Sequence, residues 1–270
     1  TYIAKLNDVM LTNYNIRPID DTWTTLKGAD NRYVYPSDYK YYNKVGNTSL
    51  YSACVLTNTH KGYGWTASVS LNAEPLKDLR LMAAYTHTVM KEVSGMPGSN
   101  ANAAWGGLFT VNGPNFTGVQ NSAYVIPDRI VASASYQYRH DHFSLFYTGY
   151  NYSSYYTFYY DGDINGDGIK YDLMYIPRND DEIHFTNESD RALFWNFLRQ
   201  DSYLSSHQGE YAQANSVKAP FVHRFDFRWA HDFTLSVGGT RHTLSLSADI
   251  MNVGNLFNSS WGVEKNMSPC

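Results

Sequence analysis

From Phe221 to Val237 the chain alternates with a period of two. Phe221, His223, Phe225, Phe227, Trp229, His231, Phe233, Leu235 and Val237 fall on one side, and Val222, Arg224, Asp226, Arg228, Ala230 and Asp232 on the other. Successive strand side chains point to opposite faces, so the segment predicts a strand with an aromatic wall backed by a charged one. Tyr63 to Ala73, Leu79 to Val89, Ile130 to Tyr138, Phe143 to Tyr147 and His242 to Ile250 repeat the pattern. No helical period competes in these windows. Tyr51 to Thr57 predicts a short strand hairpinned to the one starting at Tyr63, and Thr1 to Leu50 predicts one strand entering a long surface loop.

Alternation suits both a membrane barrel, apolar outside, and a soluble sandwich, apolar inside. The connections separate them. Glu74 to Asp78, Arg139 to His142 and Gly238 to Arg241 are short, whereas Met90 to Arg129 and Ser153 to Pro220 are very long. Outer-membrane barrels carry short turns on one rim and long extracellular loops on the other, while sandwiches mix loop lengths through Greek-key crossings. The expected fold class is therefore all-β: part of an antiparallel up-and-down transmembrane β-barrel, with long extracellular loops and one short loop helix. That helix is expected from Ser189 to Leu204, capped by Ser189, with Ala192, Leu193, Trp195, Phe197 and Leu204 as its apolar positions. The competing reading is a soluble, secreted β-sandwich that acts as an adhesin or glycan-binding module.

Composition adds to this picture in two places. The 24 Tyr, 13 Phe and 6 Trp give 16% aromatic content, and rings with a polar tip suit the girdles where a barrel wall meets lipid headgroups. A net charge of −4 without a basic stripe argues against nucleic acid as a partner. No run of about 18 apolar residues exists, which removes transmembrane helices and leaves strands untouched. Cys54 and Cys270 are the only cysteines, and one pair of cysteines does not establish a disulfide.

The sharpest local motif runs from Asp161 to Asp172. Asp161, Asp163, Asn165 and Asp167 stand at positions 1, 3, 5 and 7, Gly166 at 6, Ile169 at 9 and Asp172 at 12. A hard cation takes six to eight oxygens, and alternate residues of a tight loop supply them around a glycine bend. The expectation is a calcium (Ca²⁺) site, with Ile169 contributing through its carbonyl or a water. Asp172 departs from the EF-hand pattern, which has Glu at that position, and no helices flank the loop. The competing reading is a solvated acidic turn.

Motifs for catalysis are absent: no G-x-S-x-G, H-E-x-x-H, Walker loop or dinucleotide fingerprint occurs. His140 and His142 flank Asp141 in a tight turn but lack a third metal ligand. Arg224, Asp226, Arg228 and Asp232 alternate in sign along one polar wall and read as lumen salt bridges rather than a catalytic cluster. The chain is expected not to be an enzyme.

Four stretches carry a family resemblance: Leu56 to Tyr63, the acidic loop running into Tyr175-Ile176-Pro177, Tyr203 to Ala212, and Asp249 to Asn258 with Trp261-Gly262. In order and spacing, over roughly residues 50 to 265, they resemble the C-terminal barrel region of TonB-dependent outer-membrane receptors. The likeness is to the Oar-like branch of the Bacteroidota, whose members often carry an N-terminal carboxypeptidase-regulatory-like domain. Asp249-Ile250-Met251-Asn252-Val253-Gly254-Asn255-Leu256 is its most specific piece. The resemblance implies a 22-stranded barrel with an N-terminal plug, placed in the Gram-negative outer membrane. Its implied partners are membrane lipid, the TonB complex acting through the plug, and an extracellular ligand taken up through the barrel. Neither plug nor TonB box is recognisable in residues 1–270, and no closing aromatic strand precedes Met267-Ser268-Pro269-Cys270. The chain is therefore expected to be an internal piece of such a barrel, eight or so strands long.

Overall fold

The computed structural model describes residues 1–42, 44–50, 52–151 and 156–264. An eight-stranded antiparallel sheet dominates them. Its long strands are β1 (Tyr2–Asn13), β2 (Cys54–Leu76), β3 (Leu79–Glu92), β4 (Asp128–Tyr138), β5 (Asp141–Asn151), β6 (Phe221–Val237) and β7 (Thr240–Ile250). Each pairs with its successor in the chain, and Gln120–Asn121 adds a short strand at the end of β3. The fold is thus an all-β, up-and-down meander, and among the described residues β1 and β7 do not pair to close it.

Loop lengths segregate as the sequence predicts. Leu76 pairs with Leu79, Tyr138 with Asp141 and Val237 with Thr240, leaving two-residue turns at one end of the sheet. Gly238 and Gly239 sit at φ 59° and 82°, the left-handed pair that matches a hairpin turn to strand twist. All the long connections leave from the opposite end.

Cross-strand register carries the alternation of each strand across the whole sheet. Ala73, Leu81, Ala134, Leu145, Phe227 and Ile250 lie directly opposite one another in a single row. One residue away, Arg80, Ser135, Ser144, Arg228 and Asp249 make the corresponding row on the other face. A one-residue slip in any strand would exchange these sets, so the pattern fixes the register. The polar face is knitted by side chains: Ser68 to Thr86 at 2.9 Å, Ser135 to Ser144 at 3.1 Å, and His142 to Asp232 at 3.1 Å. Arg224 bonds Asp226 at 3.0 Å, while Arg228 faces Asp249 at 3.8 Å, so the alternating charges of β6 form salt bridges.

The apolar face is uncovered. Val69, Leu71, Leu235 and Leu244 are 66%, 67%, 64% and 70% exposed. The buried apolar side chains lie instead among the long connections and at the strand ends that enter them. One cluster joins Leu11, Ile16, Trp23, Tyr35, Ala104 and Trp105, and a second joins Ile176, Leu198, Leu204 and Ala212. The molecule has its core in the loop layer and an apolar surface on its sheet.

Three sequence expectations need correction. Residues 58–62 form no turn, because β1 pairs across them (Val9 with Asn58, Asp8 with Thr59, Leu6 with Gly62) and β2 runs unbroken from Cys54 to Leu76; Tyr51 lies outside the described residues. The single helix from Ser189 to Leu204 is two, α2 (Glu188–Gln200) and α3 (Ser202–Ser206), with α1 (Ala101–Gly106) preceding them in the 93–127 connection. Asp201 makes the break, since its extended backbone stops α2 while its carboxylate accepts from Leu204 N at 2.9 Å and caps α3. The cap position of α2 belongs to Asn187, and Ser189 lies within the helix. Asn100 starts α1 in a Gly- and Asn-rich stretch by accepting from Ala103 N at 2.9 Å. Of the two cysteines, Cys54 is a free thiol, and Cys270 lies outside the described residues.

Candidate functional site

The acidic loop is closed by a short ribbon in which Tyr159–Asp161 pairs with Tyr171–Leu173. Gly166 takes φ 82°, the left-handed bend for which its place in the motif suggested a glycine. The loop folds on its own side chains. Asp163 accepts from Gly166 N at 2.7 Å, Asp167 N at 3.2 Å and Gly168 N at 2.8 Å. Asp167 accepts from Ile169 N at 2.7 Å, and Asp172 from Ile164 N at 2.8 Å.

The loop is also built into its neighbours. Tyr35 N donates to Asn165 O at 2.8 Å, and Leu173 N to Thr110 O at 2.8 Å, which ties the connections on either side to it. Gly113, at φ 91°, lets the 93–127 connection pass, since a Cβ there would strike the Tyr35 hydroxyl and crowd Asp167 Oδ2.

Of the six residues expected at a metal, Asn165, Asp167 and Asp172 are buried, Ile169 is half-buried, and Asp161 and Asp163 are exposed. The Ile169 side chain packs against the first loop cluster. Burial pushes the Asp167 carboxyl up to about 7, helped by the charges of Asp172 and Asp163 and opposed by the Ile169 N–H. Burial also raises Asp172, against the pull of Ile164 N–H and Arg32. The charge of Asp163 therefore acts on both Asp167 and Asp172. Among the described residues no three His, Cys, Asp or Glu side chains are arranged to hold an ion. Oxygen-only donors suit a hard cation chemically, but as arranged here they serve backbone N–H groups.

Arg32, which no motif marks, is the missing partner. Its side chain is fully buried. Nε and one terminal nitrogen bond Asp30 at 2.9 Å each, and that same nitrogen donates to Leu173 O at 2.7 Å. Its other terminal nitrogen lies 3.4 Å from Asp172 Oδ1. Tyr160 and Tyr211 stack on the guanidinium, each ring centre 5.4 Å away. Burial alone would lower the Arg32 pKa, but Asp30 and Asp172 outweigh it and hold the group above its ordinary range. The Tyr211 phenol is pushed up to about 12 by burial and by Asp30, to which it donates at 3.0 Å. The only sequence signal for this cluster is a lone Asp30-Asn31-Arg32 among tyrosines, and its partners lie more than a hundred residues away.

The other expected groups are placed separately. His142 bonds Asp232 on the polar face, while His231 bonds Asp141 at 2.8 Å on the apolar one. No protein-family model, curated protein or solved structure matches this chain.

Proposed function

We propose that this chain is part of the wall and extracellular loop layer of a TonB-dependent outer-membrane receptor, which captures a ligand at its loops and passes it through the barrel without covalent chemistry. One observation carries the reading: an apolar sheet face left bare, backed by a hydrogen-bonded polar face, with the packed core displaced into the loops. A soluble sandwich buries its apolar face against a second sheet, and apolar patches of this extent on a soluble monomer are rare. Lipid is the solvent in which such a face is satisfied, provided that every backbone group is paired. Further strands would pair the free edges of β1 and β7 and close the barrel.

The dimensions agree. At about 3.3 Å per residue, strands of roughly 9–11 residues cross the hydrocarbon layer when tilted. β4 and β5 have 11 residues each. The 23 residues of β2 go well beyond that, and its half nearest Cys54 joins the loop layer. Trp65, Tyr85, Tyr147 and Phe225 sit on the apolar face towards the loops, and Tyr136, Tyr138 and Phe143 sit beside the Arg139-His140 turn. These positions suit two aromatic girdles.

The acidic loop enters as a secondary proposal. Asp163, Asn165, Asp167 and Asp172 would hold Ca²⁺ with the Ile169 carbonyl only after exchanging backbone partners, and Asp161 would have to turn inward. Charge repulsion around the buried Asp167 favours that exchange. Fractionation tests the main reading. The full-length protein should sediment with outer membrane and require detergent, and recovery in the soluble fraction would favour the sandwich.

A further inference from the structure

A cleft of about 310 Å³ opens between the 93–127 connection and the connection from β5 to β6, outside the acidic loop. Lys91 reaches it from β3, Phe109, Phe116 and Gln120 from the 93–127 connection, and Tyr211 and Gln213 from the far side. In a chain with 25 acidic residues, no Asp or Glu lines this cleft among the described residues. Lys91 forms no ion pair among the described residues, and the Gln120 and Gln213 side-chain amides make no hydrogen bond there. The Tyr211 hydroxyl is spent on Asp30 and Asn31 and its ring on Arg32 and Tyr175, so Tyr211 serves the cleft as wall.

We propose that this cleft binds a small monocarboxylate carried on a ring-sized body, with the carboxylate on Lys91, the ring against Phe109 or Phe116, and the free amides at its polar edge. Each element excludes an alternative. The lack of carboxylates disfavours a cation, and a single ammonium leaves a dianion such as phosphate half compensated. The volume lies at the low end for small-molecule sites, about 300–1,000 Å³, which favours a single ring over a peptide segment or an oligosaccharide. The ring is either a sugar acid presenting its C–H face or an aromatic acid, and both share the same anchor. The inference deepens the receptor reading, on which it rests only for the ligand's role as cargo.

Calorimetric titration of the purified full-length protein in detergent tests it with two matched pairs: D-galacturonate against D-galactose, and phenylacetate against phenylacetamide. At least one acid should saturate, and should bind roughly tenfold more tightly than its neutral counterpart, the increment of one charge-assisted hydrogen bond. Lys91→Gln should abolish that preference while near-UV circular dichroism stays unchanged. If that variant misfolds, Lys91→Met, which keeps the aliphatic stem, gives the same readout. The pair that responds identifies the body. Failure of both acids to saturate, or a preference that survives loss of the ammonium, overturns the assignment. Because binding is read in detergent, this failure is distinct from failure of the full-length protein to fractionate with membrane, which would overturn the receptor reading instead.

Discussion

The Arg32 guanidinium lies 3.4 Å from the Asp172 carboxylate, with side-chain exposures of 0% and 2%. The first belongs to the connection after β1, and the second closes the acidic loop between β5 and β6. This pair, with Asp30, Tyr160 and Tyr211 around it, locks two connections that are far apart in sequence into one layer.

Removing one member of a buried pair leaves the other charge uncompensated, at a typical cost of about 3–5 kcal/mol. Arg32→Ala should therefore loosen both connections together. Arg32→Lys should rescue little, because an ammonium cannot reproduce the fork to Asp30 or the stacking on two rings. Limited proteolysis checks this: cleavage should rise in residues 14–42 and 156–220 alike, with the strands still protected. Cleavage confined to one connection would refute the linkage.

Asp167 sets the pH response of the acidic loop. Its carboxyl is raised to about 7 when folded, against about 3.9 in an unfolded chain. A raised acid contributes its stabilisation in full below the unfolded value and loses it as pH rises through the folded one. In chelator, hydrogen exchange in residues 161–172 should slow as pH falls from 8 to 4, after correction for intrinsic rates. Asp167→Asn should flatten that dependence.

Ca²⁺ should oppose the same loss. If the loop takes the ion, millimolar Ca²⁺ at pH 8 should restore protection, with a dissociation constant around 10⁻⁴–10⁻³ M as in extracellular sites. Asp163→Ala should abolish the response. Equal protection with Ca²⁺, with chelator and in the variant would leave the loop a self-bonded turn.

Surface labelling tests the rims. A tag within Asn179–Glu182, on the turn between the Tyr175–Ile176 strand and α2, should be accessible on whole cells, and one at Gly239 should not. Gly98 is a poor insertion site, because it packs against the backbone of Ala103 and Ala104 in α1. Labelling at Gly239 alone would invert the topology.

The sheet was legible because period-two alternation is local: Phe221 to Val237 announces its strand and its two faces within itself. The turns were legible for the same reason, with Gly238-Gly239 demanding left-handed backbone. What escaped depends on distant partners. Nothing near Asn58–Gly62 reveals that β1 holds that stretch extended, and nothing near Arg32 points to Asp172. The apolar positions on either side of Asp201 argued for one continuous helix, and nothing in their spacing marked the break there. In the acidic loop the spacing correctly marked a tight carboxylate-rich bend with glycine at its turn. It could not reveal that backbone N–H groups and an arginine already occupy those oxygens.

The central claim is that one face of the sheet meets lipid. Single cysteines carrying a fluorophore, placed at Leu145, Phe227 and Leu246 on one face and at Ser144, Arg228 and Ser245 on the other, test it in the full-length protein refolded into vesicles, with the native cysteines changed to serine. Lipid-borne quenchers should darken the first set and leave the second bright, while an aqueous quencher should do the reverse. Equal quenching on both faces, or lipid quenching at Ser144, Arg228 and Ser245, would contradict the assignment.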